Sequence, residues 1–367
     1  MRPIHVLHVA GARPNFMKIA PVLAACSGRP EFRSTLVHTG QHYDEGMSDR
    51  FFEQLRIPRP DVNLDVGSGS HAAQTAQLLT RFEPVLQSLR PDLVLVVGDV
   101  NSTLACTLAA VKVGIPVAHV EAGLRSFDRT MPEEINRVVT DALAELLFVT
   151  EAAGVENLRK EGIASSRVHF VGNVMIDTLL AHRDAARRIG IVEELGLTPG
   201  RYAVLTLHRP ANVDTPAALS AILEPVADLA REMPVVFPVH PRTKAALGGR
   251  TPLAGKGAEV RLMDPVGYLE FVRLMSDARL VLTDSGGIQE ETTILGVDCV
   301  TLRDNTERPV TVEHGTNRIG GTTSAGIRAA IEAALLAKRG TVAPPPLWDG
   351  RAGARIASVL EAWADRR

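Results

Sequence analysis

The sequence predicts an α/β protein made of two doubly wound parallel sheets, and three observations carry that prediction. Strand-like and helix-like segments alternate from end to end. Several strand segments, Leu93 to Val97 and Leu280 to Leu282 among them, are apolar throughout instead of at every second position. The alternation also restarts after Val171 when it could have ended there. A wholly apolar strand is buried on both faces, which requires helices above and below a parallel sheet. At 367 residues, 45% of them hydrophobic and 22% charged, the length favours two domains over one.

In order, the first half reads as strand His5 to Ala10, helix Asn15 to Cys26, strand Phe32 to Thr39, helix Asp44 to Leu55 and long helix Ser70 to Leu89. Strand Leu93 to Val97 follows, then helix Ser102 to Lys112, strand Pro116 to Val120, helix Pro132 to Leu146, strand Leu147 to Thr150 and strand Val168 to Val171. Gly172 to Asp177 opens a new helix. Tyr202 to Leu207, Val235 to Pro238, Val260 to Leu262, Leu280 to Leu282 and Cys299 to Leu302 supply a second set of strands. The expected boundary therefore lies near residue 172, with a first domain of 1–172 and a second of 173–351. Ala343-Pro344-Pro345-Pro346 reads as a linker, and the helix Ala352 to Ala364 after it is able to pack back on the first domain.

Composition narrows the function classes. A formal net charge of -2, with arginines scattered among acids, offers no basic field and argues against nucleic acid as a partner. The chain starts directly in a strand, without a segment long enough for a signal peptide or a membrane span, so the expected location is the cytoplasm. Cys26, Cys106 and Cys299 have no paired spacing and no histidine at metal-ligand distance. They read as core residues, with no metal site.

Ligands of parallel sheets bind beyond the carboxyl ends of the strands, so the residues just after each strand matter most. Gly11-Ala12-Arg13-Pro14-Asn15-Phe16-Met17-Lys18 follows the first strand, and its two cations at a helix start suit an anion or a carboxylate partner. Asp99 and Glu121 each follow one of two adjacent strands, and buried carboxylates need either neutralising cations or a shared proton. Glu133, in the first turn of the next helix, shares a face with Arg137 at i and i+4. Three acids at one rim suit acid/base work.

In the second half, His208 and His240 both follow strands. Thr283-Asp284-Ser285-Gly286-Gly287 ends a strand and opens a helix whose unpaired first-turn N–H groups suit a phosphate; taken alone the turn favours the reading of Ser285 as an N-cap, and the surrounding residues reverse that preference. Glu290 and Glu291, one turn along, are placed to accept from ribose hydroxyls. Arg308 reads either as a diphosphate contact or as a partner to one of these acids.

Together these motifs resemble the non-hydrolysing UDP-N-acetylglucosamine 2-epimerases, over nearly the whole chain from Gly11 to Gly321. His119-Val120-Glu121-Ala122-Gly123-Leu124-Arg125, Pro132-Glu133-Glu134-Ile135-Asn136-Arg137, Asp284 to Glu291, and Arg303-Asp304-Asn305-Thr306-Glu307-Arg308-Pro309 stand in that family's order and approximate spacing. The resemblance implies two Rossmann-like domains facing a cleft, the GT-B architecture, in a homodimer. It places the UDP of a UDP-sugar on the second domain: the diphosphate on Ser285, Gly286 and Gly287 with His208, Arg13 and Arg308, and the ribose on Glu291. The acid/base set it implies is Asp99, Glu121 and Glu133, aided by His208. Lys18, Arg137 and His240 complete the candidate site, and neither metal nor redox cofactor is implied.

The reaction implied is inversion at C2 through loss and re-addition of UDP. A modified UDP-diacetamido uronic acid as substrate, a hydrolysing 2-epimerase and a GT-B glycosyltransferase are the alternatives. The chain departs from the family pattern at Asn15, where glutamate is common, at Tyr43, Asp44 and Glu45, and at Pro210-Ala211. These departures lead to the expectation that activation by the substrate itself is weakened or absent.

Overall fold

The computed structural model describes residues 2–40, 52–248, 258–337 and 343–366. Seven of its strands are β1 (Ile4–Ala10), β2 (Phe32–His38), β3 (Val62–Asn63), β4 (Leu93–Val97), β5 (Val117–Ala122), β6 (Leu146–Val149) and β7 (Val168–Phe170). They form one parallel sheet in the order β3-β2-β1-β4-β5-β6-β7. Six more are β8 (Ala203–Thr206), β9 (Val235–Pro238), β10 (Val260–Met263), β11 (Leu280–Thr283), β12 (Asp298–Thr301) and β13 (Asn317–Ile319). These form a second parallel sheet, β10-β9-β8-β11-β12-β13. Both orders are those of a doubly wound Rossmann-like fold.

The physical origin is the one the apolar runs imply. All five residues of β4 and all four of β11 are buried, because helices cover both faces of each sheet. Leu7, Val9, Val94 and Val96 pack with Leu78, Phe82 and Leu86 of the helix His71–Leu89 in one core. Leu205, Phe237 and Leu282 pack with Ile222 and Val226 of the helix Pro216–Leu229 in the other.

The chain divides into two compact units, Met1–Ala181 with Pro346–Arg367, and His182–Pro345. The helix Val174–Ala186 spans the division. The last helix, Ala352–Ala364, is tied into the first unit at its start: the N–H groups of Ala352 and Gly353 donate to the two Asp177 oxygens at 3.1 and 2.8 Å. A β-carbon on Gly353 would stand 2.6 Å from the Pro21 carbonyl oxygen, so only glycine lets this helix approach the helix Arg13–Ser27 so closely.

Some local expectations are revised. The helix expected to run from Pro132 to Leu146 stops at Leu143, where Ala144 turns to an extended conformation, and Leu146 already belongs to β6. The short edge strands β3 and β13 lack an apolar run and are unannounced in the sequence. The helix expected over Asp44 to Leu55 lies mostly outside the described residues, as do Gln41, Tyr43, Asp44 and Glu45. Among the described residues, no helix is long and apolar enough to cross a membrane, and no group of three His, Cys, Asp or Glu side chains is arranged to hold a metal ion.

Candidate active site

In each sheet the strand order reverses at one place, between β1 and β4 and between β8 and β11, and the crevice beyond the strand ends there is where α/β folds take ligands. In the first unit that crevice is built around Asn15. Its Oδ1 accepts from the N–H groups of Ala12 at 2.8 Å and Gly11 at 3.3 Å, while its amide nitrogen donates to the Val97 carbonyl at 2.9 Å. A glutamate at this position accepts without donating, so asparagine is what ties the loop after β1 to the end of β4. Arg13 opens the same helix, and its side chain lies outside the described ones.

Lys18 is buried one turn further on and pairs with the buried Glu121. Glu121 has φ +76 and sits where β5 slips register against β6 between Val120 and Ala122. This is a β-bulge, and a non-glycine residue in the left-handed region costs on the order of 1–3 kcal/mol unless its surroundings hold it there. The carboxylate of a strand residue is thereby re-aimed at a lysine on the helix Arg13–Ser27 that follows a different strand.

Asp99 is held from the helix Pro132–Leu143. Arg137 donates to its Oδ2 at 2.6 Å, and Asn136 donates to its backbone carbonyl at 2.9 Å. Arg137 also pairs with Glu134 at 2.7 Å, and Glu134 accepts from the N–H groups of Ser126 and Phe127, both at 2.9 Å. Glu133 differs from both. It is half-buried in the first turn of that helix, and its side chain makes no hydrogen bond or ion pair among the described residues.

Neighbouring β5 is a buried network absent from the sequence reading. Asp141 bonds His119 Nδ1 at 2.6 Å, the Gly123 N–H at 3.0 Å and Arg125 at 2.7 Å. His119 Nε2 donates to the Gly98 carbonyl at 2.8 Å. Burial alone would raise the Asp141 carboxyl, and the pairing with His119 and Arg125 more than offsets that, so it is held below the usual range.

In the second unit the organising residue is Asp284, fully buried at the end of β11. Its oxygens accept from the backbone N–H groups of His208 at 3.0 Å and Arg209 at 2.9 Å, from Asn212 at 3.1 Å, and lie 2.7 Å from His208 Nδ1. Burial would raise this carboxyl as well, but His208 and the donated N–H groups hold it down. His240 is an exposed helix N-cap that accepts from the Arg242 N–H at 3.2 Å, with its ring 5.9 Å from that of His208.

Ser285 gives no side-chain cap to the helix Gly286–Leu295, whose N-terminus Arg308 overlies. Of the two sequence readings for Arg308, the acid-partner one is observed: it donates to Glu290 at 2.7 Å and to Glu307 at 3.4 Å. Glu307 also takes both arms of Arg303, at 2.6 and 2.9 Å, and against the upward push of burial these arginines keep it well below the carboxylate range. Glu291, by contrast, is pushed up to about 8 by burial and by the neighbouring Glu290, partly offset by the Tyr268 hydroxyl that donates to it at 2.9 Å.

Lys18 with Glu121 and Arg137 with Asp99 are thus joined in the first unit; His208, Asp284, Arg308 and the Ser285-Gly286-Gly287 turn cluster around the end of β11 in the second, and Glu291 lies further along the helix beside Tyr268. Asp141, Asp284, Glu134 and Asn136 are the site-building residues that the sequence reading leaves without a role. The signal available for Asp284 was a carboxylate directly between an apolar strand and a Ser-Gly-Gly turn. A cavity of about 720 Å³ elsewhere in the first unit is lined by Arg29, His169, Arg355 and Ser358 and by none of the candidate residues.

Residues 24–361 match the family model described as UDP-N-acetylglucosamine 2-epimerase. The UDP-N-acetylglucosamine 2-epimerase of Methanocaldococcus jannaschii is 42% identical over 359 residues, covering 96% of this chain and 97% of that protein. The UDP-2,3-diacetamido-2,3-dideoxy-D-glucuronate 2-epimerase of Pseudomonas aeruginosa is 42% identical over 320 residues, covering 86% and 88%. The crystal structure of the Methanocaldococcus jannaschii UDP-GlcNAc 2-epimerase in complex with UDP-GlcNAc and UDP superposes with a TM-score of 0.91 at 41% identity, over 98% of this chain and 100% of that one.

Proposed function

The chain belongs to the UDP-N-acetylglucosamine 2-epimerase family, and on that premise we propose that it interconverts UDP-N-acetylglucosamine and UDP-N-acetylmannosamine by eliminating and re-adding UDP, with no net hydrolysis. The observation that carries this reading is the unequal treatment of the three first-unit acids. Glu121 is neutralised by Lys18 and Asp99 by Arg137, whereas Glu133 has no such partner among the described residues. Two acids each paired with a cation, beside one that has no ion pair among the described residues, suit a reaction that moves a proton away and back.

The C2 proton is not acidic, so its removal must be coupled to departure of the leaving group. In the forward direction a carboxylate takes the C2 proton, the C–H electron pair forms the C1=C2 double bond, and the C1–O bond breaks with its electrons going to the β-phosphate of UDP. In the return direction a carboxylic acid protonates C2 on the opposite face while the UDP oxygen bonds C1. Inversion therefore requires two proton-transfer groups, or one group and a sugar that turns over, and three acids meet either requirement. The developing diphosphate charge is assigned to the helix N-terminus at Ser285, Gly286 and Gly287, with Arg308 and His208. Glu291 is assigned to the ribose.

Equal identity to the Methanocaldococcus and Pseudomonas relatives supports a second reading of the substrate, a UDP-diacetamido uronic acid. Incubation with each UDP-sugar separately, followed by product separation, tests both. The proposal expects UDP-N-acetylmannosamine from UDP-N-acetylglucosamine. Accumulation of free N-acetylmannosamine with UDP would show a hydrolysing enzyme, and turnover of the uronic acid alone would move the assignment to that sugar.

A further inference from the structure

We propose that Asp141 is a positioning residue that acts through Glu121 by clamping the chain on both sides of the bulge that aims it. Of the residues flanking Glu121, His119 lies two before and Gly123 two after, and Asp141 binds both: His119 Nδ1 at 2.6 Å through one oxygen and the Gly123 N–H at 3.0 Å through the other. Each partner is fixed again from elsewhere. His119 Nε2 donates to the Gly98 carbonyl at 2.8 Å, which locks β5 to the end of β4 beside Asp99. Gly123, at φ +80, lies so close to the backbone of Gly154 that a β-carbon would stand 2.5 Å from its carbonyl oxygen. Both His119 nitrogens are therefore engaged, one by Asp141 and the other by the Gly98 carbonyl, which fixes the ring in place.

Asp141 is in turn held by Arg125 at 2.7 Å, and Arg125 is gripped by Glu161 at 2.6 and 2.7 Å. Asp141, His119 and Arg125 are all buried, so none of this is a solvated surface arrangement. The strain at Glu121 persists only while its neighbours over-determine it. The same helix that carries Asp141 carries Arg137 and Asn136, which hold Asp99. One helix, Pro132–Leu143, thus sets the place of two acids at once. Asp141 itself contacts neither substrate nor reacting atoms in this account.

The inference rests on the proposed epimerase reading for its kinetic consequence and on the hydrogen bonds alone for its structural one, so the test has two arms. Asp141→Asn keeps the side chain's volume but turns a donor toward His119 or toward Gly123. It is expected to lower kcat by about 100-fold, the scale of an ångström-level misplacement of a reacting group, with KM for UDP-N-acetylglucosamine within about twofold. In the Glu121→Gln background the same change is expected to add less than about twofold, because both act through one group. Hydrogen exchange measured by mass spectrometry is expected to quicken in the peptide covering 119–123 and to stay unchanged in β8 to β12.

Multiplicative losses in the double variant, wild-type kcat in the single one, or unchanged exchange at 119–123 would each overturn the clamp. If wild-type protein leaves UDP-N-acetylglucosamine unaltered while exchange at 119–123 still opens in the variant, the epimerase reading falls and the clamp stands. Should Asp141→Asn fail to fold, Glu161→Gln loosens Arg125 from its more exposed end; a severalfold lower kcat with faster exchange at 119–123 supports the clamp, and no change in either overturns it.

Discussion

The guanidinium of Arg308 fills the space that a side chain at Gly286 would occupy: a β-carbon there would stand 2.7 Å from Arg308 Cζ. A cation reaching from the loop after β12 is thereby laid across the first turn of the helix Gly286–Leu295, where unpaired N–H groups already favour an anion. Two buried carboxylates, Glu290 and Glu307, hold it there.

That contact makes Gly286→Ala a specific probe. The obstructing atoms are the far end of a flexible side chain, so the fold is expected to survive and Arg308 to be displaced. Losing one charge-assisted contact is worth about 1.5–3 kcal/mol, so UDP affinity measured by titration calorimetry is expected to fall by roughly 10- to 100-fold. Unchanged affinity would remove Arg308 from the diphosphate site.

The first-unit acids separate by stability as well as by chemistry. Lys18→Met leaves Glu121 buried without its cation, a change that costs about 3–5 kcal/mol, readable as a lower urea midpoint. Glu133→Gln removes nothing that the described residues use and is expected to stay within about 0.5 kcal/mol of wild type, yet to lower kcat by about 10²–10⁴-fold. A Glu133→Gln protein with wild-type kcat would take Glu133 out of the proton path.

Glu291 gives the chain a stability term of known sign. Its carboxyl is raised from 4.5 to about 8 in the fold, chiefly by burial, so the folded state holds the proton more tightly than the unfolded state. Its contribution is complete below the unfolded value and is lost as pH rises through the folded one. The stability of wild type relative to Glu291→Gln, from urea unfolding across about pH 4.5 to 8.5, is therefore expected to decline with rising pH. A difference that grows with pH would contradict the assignment.

How much of this the sequence discloses depends on the range of the interaction. The runs Leu93 to Val97 and Leu280 to Leu282 announce their strands because two-sided burial removes polar residues from consecutive positions. Val62–Asn63 and Asn317–Ile319 are too short to carry any pattern. The rule that ligands gather beyond strand ends singles out Asp99, Glu121, His208 and Ser285 as candidates. It does not find what each is joined to, since Lys18 meets Glu121, Arg137 meets Asp99 and Asp284 meets His208 only after the sheet has brought distant loops together. Asp284 and Asp141 look like ordinary turn and helix residues until burial shows that each must satisfy several donors. The bulge at Glu121 is likewise invisible, because a left-handed glutamate has no compositional mark.

The central claim is that the C2 proton of the sugar leaves and returns while UDP is held. Proton NMR of UDP-N-acetylglucosamine with the enzyme in deuterated water tests it most directly. Deuterium is expected at C2 in both UDP-N-acetylglucosamine and UDP-N-acetylmannosamine, with the nucleotide still attached to both. Full retention of the C2 proton while the sugar is turned over would contradict it.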